Sequence, residues 1–338
     1  MSGASFDSTT GSIQPGEGNG KREPLVIGLV NNMPDAALER TERQFRELLG
    51  AAGAEHDVRL RLFSFPELIR SEAARAYVAE HYEPIDELWH GEFDGLVVTG
   101  AEPRTPVLPD EVYWPSLTRL IDFANETATS TVWSCLAAHA VVLYLDGIQR
   151  RRLGEKISGV FRCQRTGAAP LADGLSSSWL VPHSRLNTLD PAPLTAAGYE
   201  IVSFSDEAGV DTFIRRTRAL FVFYQGHPEY DVGALLREYR RDVGRFLAGT
   251  MERYPEMPRG YFDDETAEAF IAFRARAERQ RSRELLADLP DDNVQATLAR
   301  SWGDIALRLY RNWLSGIVAE RHSADLSGAG AAAAARAT

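Results

Sequence analysis

The chain has 338 residues, of which 44% are hydrophobic, so it can bury a sizeable core as one large domain or two small ones. Its formal net charge of −11 argues against nucleic acid or an anionic membrane surface as the main partner. No apolar run approaches the roughly 20 residues that span a bilayer, and the N-terminus lacks the pattern of a secretory signal. Two cysteines exclude a disulfide framework, so we expect a cytoplasmic protein. Without a CxxC or HExxH motif, no metal site is expected.

The two ends of the chain differ in composition from the rest. Residues 1–22 are rich in small polar residues, and residues 323–338 end in an alanine run without an amphipathic stripe. We expect both to be disordered tails, with a single α/β domain over residues 23–322. Residues 251–298 are rich in charge and proline, which predicts a peripheral excursion before a final helix over residues 301–321.

Predicted strands and helices alternate between these ends. In chain order, the strands cover residues 24–30, 57–63, 93–99, 129–134 and 219–224. The helices cover residues 36–52, 114–127, 136–145 and 230–249. Near-continuous apolar strands separated by helices predict a doubly wound, mostly parallel sheet that is flanked by helices. Ligands of such sheets bind beyond the carboxyl ends of the strands.

Cys135 lies where a predicted strand turns into a predicted helix. This position is typical of a nucleophile elbow, in which the side chain is exposed and the following N–H groups point toward it. The start of a helix also favours a thiolate and stabilises an oxyanion. The alternative is a buried structural cysteine, since Trp133, Ser134, Leu136 and Ala137 replace the usual flanking glycines.

His227 and Glu229 follow the last predicted strand of the sheet. Residues two apart in an extended chain project to the same side, and Pro228 between them stiffens the backbone. A carboxylate in that place can fix the imidazole tautomer that turns the other nitrogen toward a thiol. A surface turn with a capping glutamate is the alternative. Together with Cys135, the pair predicts a Cys-His-Glu catalytic triad.

Ten short motifs, in this order, resemble the homoserine O-succinyltransferase and O-acetyltransferase family. That family is built on a class I glutamine amidotransferase-like, flavodoxin-like fold. The matching motifs together span roughly residues 24–315. They are Asn31-Asn-Met-Pro34, Thr41-Glu-Arg-Gln-Phe45, residues 93–101, Tyr113-Trp-Pro115, Trp133-Ser-Cys135, residues 155–160, Pro182-His-Ser-Arg185, Gly226-His-Pro-Glu-Tyr-Asp231, Arg241-Asp242 and Asn312-Trp-Leu314.

The resemblance implies a ping-pong acyl transfer that contributes to methionine biosynthesis. Cys135 would take the acyl group from an acyl-CoA, and His227, held by Glu229, would deprotonate the hydroxyl of L-homoserine. Acyl-CoA would serve as a co-substrate, with no bound cofactor. The partners would be these small molecules, with no nucleic acid or membrane, and a homodimer is one option for the assembly.

The resemblance also assigns roles to residues around the triad. The oxyanion donors would be the backbone N–H of Leu136 and one from the turn Gly100–Ala101. Lys156 and Arg241 match positions that bind the carboxylate of the amino-acid acceptor. Ser184 matches a position that helps to select the acceptor.

Two departures from the family pattern concern charged residues. The family has a lysine between the Met-Pro and Thr-Glu-x-Gln motifs, whereas residues 35–40 contain none here, and Arg40 is the candidate replacement. Near the family's acyl-donor switch this chain has Arg104, whose charge favours a succinyl carboxylate. Its volume could instead fill the pocket and leave room only for acetyl, or the side chain could point to solvent.

Three alternatives stay open at this point. The first is the same chemistry on serine or another hydroxy amino acid. The second is a glutaminase-type amidohydrolase, because the same fold and triad hydrolyse glutamine amide. The third is a non-catalytic homologue that only binds an amino acid or CoA.

Overall fold

The computed structural model describes residues 23–127, 129–291 and 299–336. The tail predicted for residues 1–22 lies outside them. The strands are β1 Leu25–Val30, β2 Val58–Phe63, β3 Gly95–Val98, β4 Ser130–Ser134, β5 Arg151–Arg165, β6 Ser178–Thr188, β7 Glu200–Ser205, β8 Gly209–Arg216 and β9 Leu220–Tyr224. The helices are α1 Leu38–Ala52, α2 Glu72–His81, α3 Asp86–His90, α4 Trp114–Glu126, α5 Leu136–Asp146, α6 Pro191–Ala196, α7 Ala234–Leu247, α8 Asp264–Arg279 and α9 Ala299–Arg336. Short 3₁₀ turns lie at Leu108–Asp110, Pro170–Ala172 and Arg283–Asp288.

All described strands form one sheet in the order β2-β1-β3-β4-β9-β8-β7-β5-β6. The first five of these strands are parallel and are the five predicted from the apolar runs, which are thereby confirmed. The other four pair antiparallel and were not predicted. Their exposed faces carry charged and polar residues, which interrupt the apolar run that marks a buried parallel strand.

Helices cover both faces of the parallel half of the sheet. On one face, Phe45 of α1 packs with Tyr310 and Trp313 of α9. On the other face, Leu120 of α4 and Val141 of α5 pack against apolar side chains of the strands. Since both faces are buried, the residues of β1, β3 and β9 are almost uniformly apolar, and the ends of the parallel strands are left as the place for a site.

Two helix boundaries differ from the prediction by more than two residues. Helix α7 begins at Ala234 rather than at residue 230, because the Asp231 carboxylate accepts a hydrogen bond from Gly233 N (2.9 Å) and closes a turn before the helix. Helix α9 continues to Arg336, beyond its predicted end at residue 321 and into the segment for which a disordered tail was expected. Alanine has the highest intrinsic helix propensity, and the alanine run therefore extends a helix that is already formed. Residues 337–338 lie outside the described residues.

The segment after α7 builds its own small apolar cluster. Phe270 and Phe273 of α8 pack with Tyr239 and Phe246 of α7. This packing fixes the outer side of α7, the helix whose inner side faces the carboxyl end of the sheet. Among the helices that the structure describes, none combines the length and the apolar character that crossing a membrane requires.

Candidate active site

Cys135 forms the turn between β4 and α5. Its backbone adopts φ 52° and ψ −109°, and among the described residues it is the only non-glycine with a positive φ. Its N–H donates to the Tyr224 carbonyl of β9 at 2.7 Å, which holds the turn in place. Such a conformation costs on the order of 1–3 kcal/mol, and strain of this kind is found where a side chain must be presented for function. The thiol is partly exposed at the start of α5.

His227 and Glu229 lie just beyond the end of β9 and contact each other. His227 Nδ1 is 2.8 Å from Glu229 Oε1, and both side chains are largely buried. The N–H of His227 donates to the Pro182 carbonyl at 2.8 Å. The Tyr230 ring stacks on the imidazole with centroids 4.2 Å apart. The imidazole is therefore held by its backbone, by a carboxylate and by a ring face.

The environment of His227 favours its protonated form. Burial alone lowers the pKa of an imidazole, but the Glu229 carboxylate and Cys135 outweigh burial and raise the pKa of His227 well above its ordinary value. A thiol, an imidazole and a carboxylate in this order have the composition of a nucleophile, its base and the group that orients the base.

The predicted oxyanion donors lie next to Cys135. Leu136 is the first residue of α5, so its N–H has no partner within the helix. Gly100 approaches so closely that a Cβ on it would lie 3.0 Å from Leu136 N. A side chain at position 100 would crowd the N–H group of Leu136, so glycine keeps this approach to it free.

A cavity of about 430 Å³ connects these groups. Its lining contains nine of the ten predicted site residues: Gly100, Ala101, Cys135, Leu136, Lys156, Ser184, His227, Glu229 and Arg241. The tenth, Arg104, is exposed and lines a neighbouring groove of about 240 Å³. The groove and the cavity share Met33, Pro34 and Glu102. Arg40 lines neither of them.

Lys156 and Ser184 converge on a carboxylate that the sequence analysis missed. Lys156 Nζ lies 3.2 Å from Glu238 Oε2 and 2.9 Å from Asp242 Oδ2. The Ser184 hydroxyl donates to Glu238 Oε2, and the Tyr230 hydroxyl donates to Glu238 Oε1 at 2.5 Å. Burial alone would raise the pKa of Glu238, but Lys156, Ser184 and Tyr230 together lower it to about 2. Glu238 is thus an ionised carboxylate inside the cavity.

Arg241 Nε donates to Asp242 Oδ1 at 3.0 Å, so it joins the same charged group. The residues of α7 that line the cavity are Glu238, Arg241, Asp242 and Arg245, with Tyr239. Positions 238, 241, 242 and 245 follow the i, i+3, i+4, i+7 spacing of one helix face. This charged stripe was the sequence signal that could have identified Glu238 and Asp242.

A second cysteine and histidine lie away from the cavity. Potential ligand atoms of Cys163, His183 and Asp211 all lie within 4.8 Å of one another, and the three side chains are buried. Burial raises the pKa of the Cys163 thiol far above its ordinary value, and a neutral thiol is a poor metal ligand. His183 Nε2 instead faces Asp211 Oδ1 at 3.3 Å. The group is a buried hydrogen-bonded network rather than a second reactive site.

Comparisons with known proteins match this chain to one family. The model of the family described as homoserine O-succinyltransferase matches residues 17–324. A homoserine O-succinyltransferase of Rhodopseudomonas palustris is 49% identical over 296 residues, which cover 88% of this chain and 89% of the relative. A homoserine O-succinyltransferase of Bradyrhizobium japonicum is 47% identical over 296 residues, which cover 87% of this chain and 90% of the relative.

The fold has solved counterparts. The crystal structure of a glutamine amidotransferase from Methylobacillus flagellatus aligns with a TM-score of 0.50 at 14% identity. The alignment covers 87% of this chain and 94% of that one, and it supports the amidotransferase-like architecture alone. On the strength of the family model and the two relatives, the chain belongs to the homoserine O-succinyltransferase family.

Proposed function

We propose that this protein transfers a succinyl group from succinyl-CoA to the hydroxyl of L-homoserine, through an acyl-cysteine on Cys135, in methionine biosynthesis. The observation that carries the proposal is the Cys135, His227 and Glu229 set on the wall of one cavity, in a chain of this family. The substrates are small molecules. The two free cysteines accord with a reducing compartment such as the cytoplasm.

In the first half-reaction, the Cys135 sulfur, whose proton His227 holds as the imidazolium, attacks the thioester carbonyl of succinyl-CoA. The carbonyl oxygen becomes an oxyanion, which the N–H of Leu136 and one from the turn Gly100–Ala101 stabilise. The bond to the CoA sulfur then breaks. The CoA thiolate leaves with the proton that His227 holds, and a new thioester links the succinyl group to Cys135.

In the second half-reaction, the neutral imidazole of His227 removes the proton from the homoserine hydroxyl. The hydroxyl oxygen attacks the acyl-cysteine, the carbon–sulfur bond breaks, and the Cys135 sulfur is released beside His227, which keeps the proton as the imidazolium. The product is O-succinylhomoserine. Glu229 stabilises the imidazolium that exists during both attacks and holds its tautomer in between, which is the role of the carboxylate in such triads.

The charged group on α7 and β5 suits the ends of an amino acid. Glu238 offers an ionised carboxylate to the ammonium group, while Lys156 and Arg241 offer cations to the carboxylate. Ser184 donates to Glu238 and would orient it toward the acceptor. If Lys156 binds homoserine, Lys156→Met should raise KM for homoserine by about 10- to 100-fold, because a hydrogen bond to a charged group contributes about 1.5–3 kcal/mol. Arg162→Met, an exposed cation on the same strand, is the matched control.

One assay tests the proposal against its alternatives. The purified protein is incubated with succinyl-CoA or acetyl-CoA, each with homoserine, with serine and without an acceptor, and CoA release and the acylated product are measured. We expect the fastest release with succinyl-CoA and homoserine, accompanied by O-succinylhomoserine. A preference for acetyl-CoA or for serine would change the assigned donor or acceptor. No acceptor-dependent CoA release with any pair would reject the acyltransferase, and glutamate release from glutamine would identify an amidohydrolase instead.

A further inference from the structure

A fully buried histidine–aspartate pair lies beneath the loop that carries His227. His183 and Asp211 are 0% and 1% exposed, and Nε2 of His183 is 3.3 Å from Oδ1 of Asp211. Among the described residues, neither of these two atoms has a hydrogen-bond partner of regular geometry, so their 3.3 Å contact is the polar contact that each of them makes. Asp211 Oδ2 accepts from the hydroxyls of Ser203 (2.7 Å) and Thr212 (2.8 Å). The pair is a defined network that the acyl transfer does not use directly.

The network also defines the tautomer of His183. Its Nδ1 accepts from Arg185 Nε at 3.5 Å, which leaves the proton on Nε2, the nitrogen that faces Asp211 Oδ1 at 3.3 Å. Burial lowers the pKa of His183. Burial alone would raise the pKa of Asp211, but the neighbouring His183 and the hydrogen bonds from Ser203 and Thr212 outweigh burial and lower it. A neutral imidazole therefore turns its N–H toward an ionised carboxylate, and Arg185, Ser203 and Thr212 hold the two side chains from their other sides.

The pair contacts the catalytic loop at Gly226. A Cβ on Gly226 would lie 2.6 Å from Asp211 Oδ1 and 2.9 Å from His183 Nε2, so only a glycine backbone fits against the pair. The residues on either side of Gly226 are hydrogen-bonded to the strands that carry the pair. Gln225 N donates to the Asp211 carbonyl at 2.8 Å, and His227 N donates to the Pro182 carbonyl at 2.8 Å.

The pair joins two strands that are not neighbours in the sheet. His183 lies on β6 and Asp211 on β8, and β7 and β5 separate these strands in the sheet order. The antiparallel half must therefore curl until its edge strand reaches β8 and the end of β9. The two side chains meet where β6 approaches β8, and this contact lies directly against residues 225–227.

We propose that His183 and Asp211 are positioning residues that hold the 225–227 loop, and through it His227, in register with Cys135. This inference rests on the proposed function, in which His227 is the base. A buried ion-paired network is weak evidence for added stability, because removing both groups from water offsets much of their attraction. Its contact with Gly226 instead gives the network a role in placing His227, the next residue in the chain. Small displacements of a catalytic group strongly reduce the rate.

The test uses substitutions that change the hydrogen bonding with little change of volume. Asp211→Asn replaces the carboxylate with an amide, which places either an N–H or a weaker acceptor oxygen next to His183 and so disturbs the network. His183→Leu removes the N–H group altogether. His183→Gln restores an N–H donor at a similar distance. Ser203→Ala is the matched control, because it removes a hydrogen bond from the Asp211 oxygen that does not face Gly226. The measurements are kcat, KM for both substrates, the melting temperature, and the rate at which iodoacetamide alkylates Cys135 at neutral pH.

We expect Asp211→Asn and His183→Leu to lower kcat by about 100-fold, with little change in KM and with slower alkylation of Cys135. His183→Gln should recover most of the kcat that His183→Leu loses, and Ser203→Ala should lower the melting temperature with little effect on kcat. The inference is overturned if Asp211→Asn keeps the wild-type kcat and alkylation rate. It is also overturned if kcat falls in all four variants in proportion to their loss of melting temperature, or if the native protein holds a stoichiometric metal at Cys163, His183 and Asp211.

The alkylation rate separates this inference from the proposed function, because it needs neither acyl donor nor acceptor. If the wild type transfers no succinyl group but the Asp211→Asn and His183→Leu variants slow alkylation, the proposed function fails and the positioning role holds. If the wild type transfers succinyl and neither kcat nor alkylation changes in the variants, the positioning role alone fails. Should Asp211→Asn not fold, the comparison of His183→Gln with His183→Leu decides by the same two readouts.

Discussion

His227 and Glu229 are joined across a single proline by a 2.8 Å contact between Nδ1 and Oε1. Because Nδ1 faces the carboxylate, the other ring nitrogen is left for Cys135, whose interaction raises the pKa of His227 further. The second oxygen of Glu229 is buried and has no hydrogen-bond partner among the described residues. Among the described residues, the hydrogen-bonding partner of the carboxylate is therefore the imidazole, and its negative charge stabilises the imidazolium.

The first prediction concerns this charge. Glu229→Gln keeps the shape of the side chain and removes its charge, so the imidazolium loses its counter-ion and the tautomer is no longer fixed. By analogy with other triads we expect kcat to fall by up to about 10⁴-fold while the protein stays folded. Steady-state kinetics with succinyl-CoA and homoserine provide the measurement. Glu55→Gln, an exposed glutamate, is the control, and equal activity of the two variants would remove Glu229 from the triad.

The second prediction concerns the space beside Leu136 N. Gly100→Ala places a methyl group 3.0 Å from that nitrogen, where the oxyanion should form. We expect kcat to fall by about 10²–10³-fold, the usual effect of losing one oxyanion donor. Gly50→Ala serves as the control, because nothing lies within 4 Å of its added methyl group and alanine favours a helix. Wild-type turnover in Gly100→Ala would move the oxyanion site elsewhere.

The third prediction concerns the acyl donor. Arg104 is exposed in the groove that borders the cavity, so any pairing with a succinyl carboxylate is screened by solvent. Exposed ion pairs contribute about 0.2–1 kcal/mol, so Arg104→Gly should lower the preference for succinyl-CoA over acetyl-CoA by at most about fivefold. The ratio of kcat/KM for the two donors measures it. An unchanged ratio would mean that Arg104 points only to solvent.

The fourth prediction concerns stability and pH. Burial of His139, partly opposed by its hydrogen bond with Gln225, lowers its pKa from 6.5 to about 3. The unfolded chain takes up a proton in this window and the folded protein does not. The free energy of unfolding therefore decreases as the pH falls from about 6.5 to about 3, by at most about 1.4 kcal/mol per pH unit from this group.

His139→Gln keeps a donor toward Gln225 and removes the titration, so the variant should lose less stability over the same pH window. Denaturant unfolding at several pH values measures the difference between variant and wild type. His183 is present in both proteins, and its own contribution cancels. His322→Gln, an exposed histidine, should follow the wild-type curve. Parallel curves for His139→Gln and the wild type would show that His139 does not contribute to acid sensitivity.

The sequence was sufficient for the parallel half of the fold. Parallel strands buried on both faces are rich in apolar residues, so β1, β3 and β9 stand out as continuous runs. The shorter β4 has a β-branched centre; Cys135 follows β4, and His227 follows β9. The cavity residues in the turns after these strands could therefore be predicted from the sequence. The motif resemblance supplied Lys156, Ser184 and Arg241, which no local pattern identified.

The rest depends on contacts between distant segments. The antiparallel strands expose one face, so their polar residues do not separate them from loops. In the sequence, nothing distinguishes Glu238 from the other charged residues of its helix. It becomes a site residue in the fold, where β5 and β6 place Lys156 and Ser184 next to it. The pairing of His183 with Asp211 needs the curl of the sheet, since 28 positions and two intervening strands separate them. Such relationships follow from tertiary packing rather than from any motif.

The central claim is that Cys135 carries the acyl group. Its most direct test is mass spectrometry of the protein after a short incubation with succinyl-CoA alone, followed by addition of homoserine. The account predicts one succinyl group on the peptide that contains Cys135, none on the peptide that contains Cys163, and loss of the label when homoserine is added. Turnover without any label on Cys135, or a label that homoserine does not remove, would contradict it.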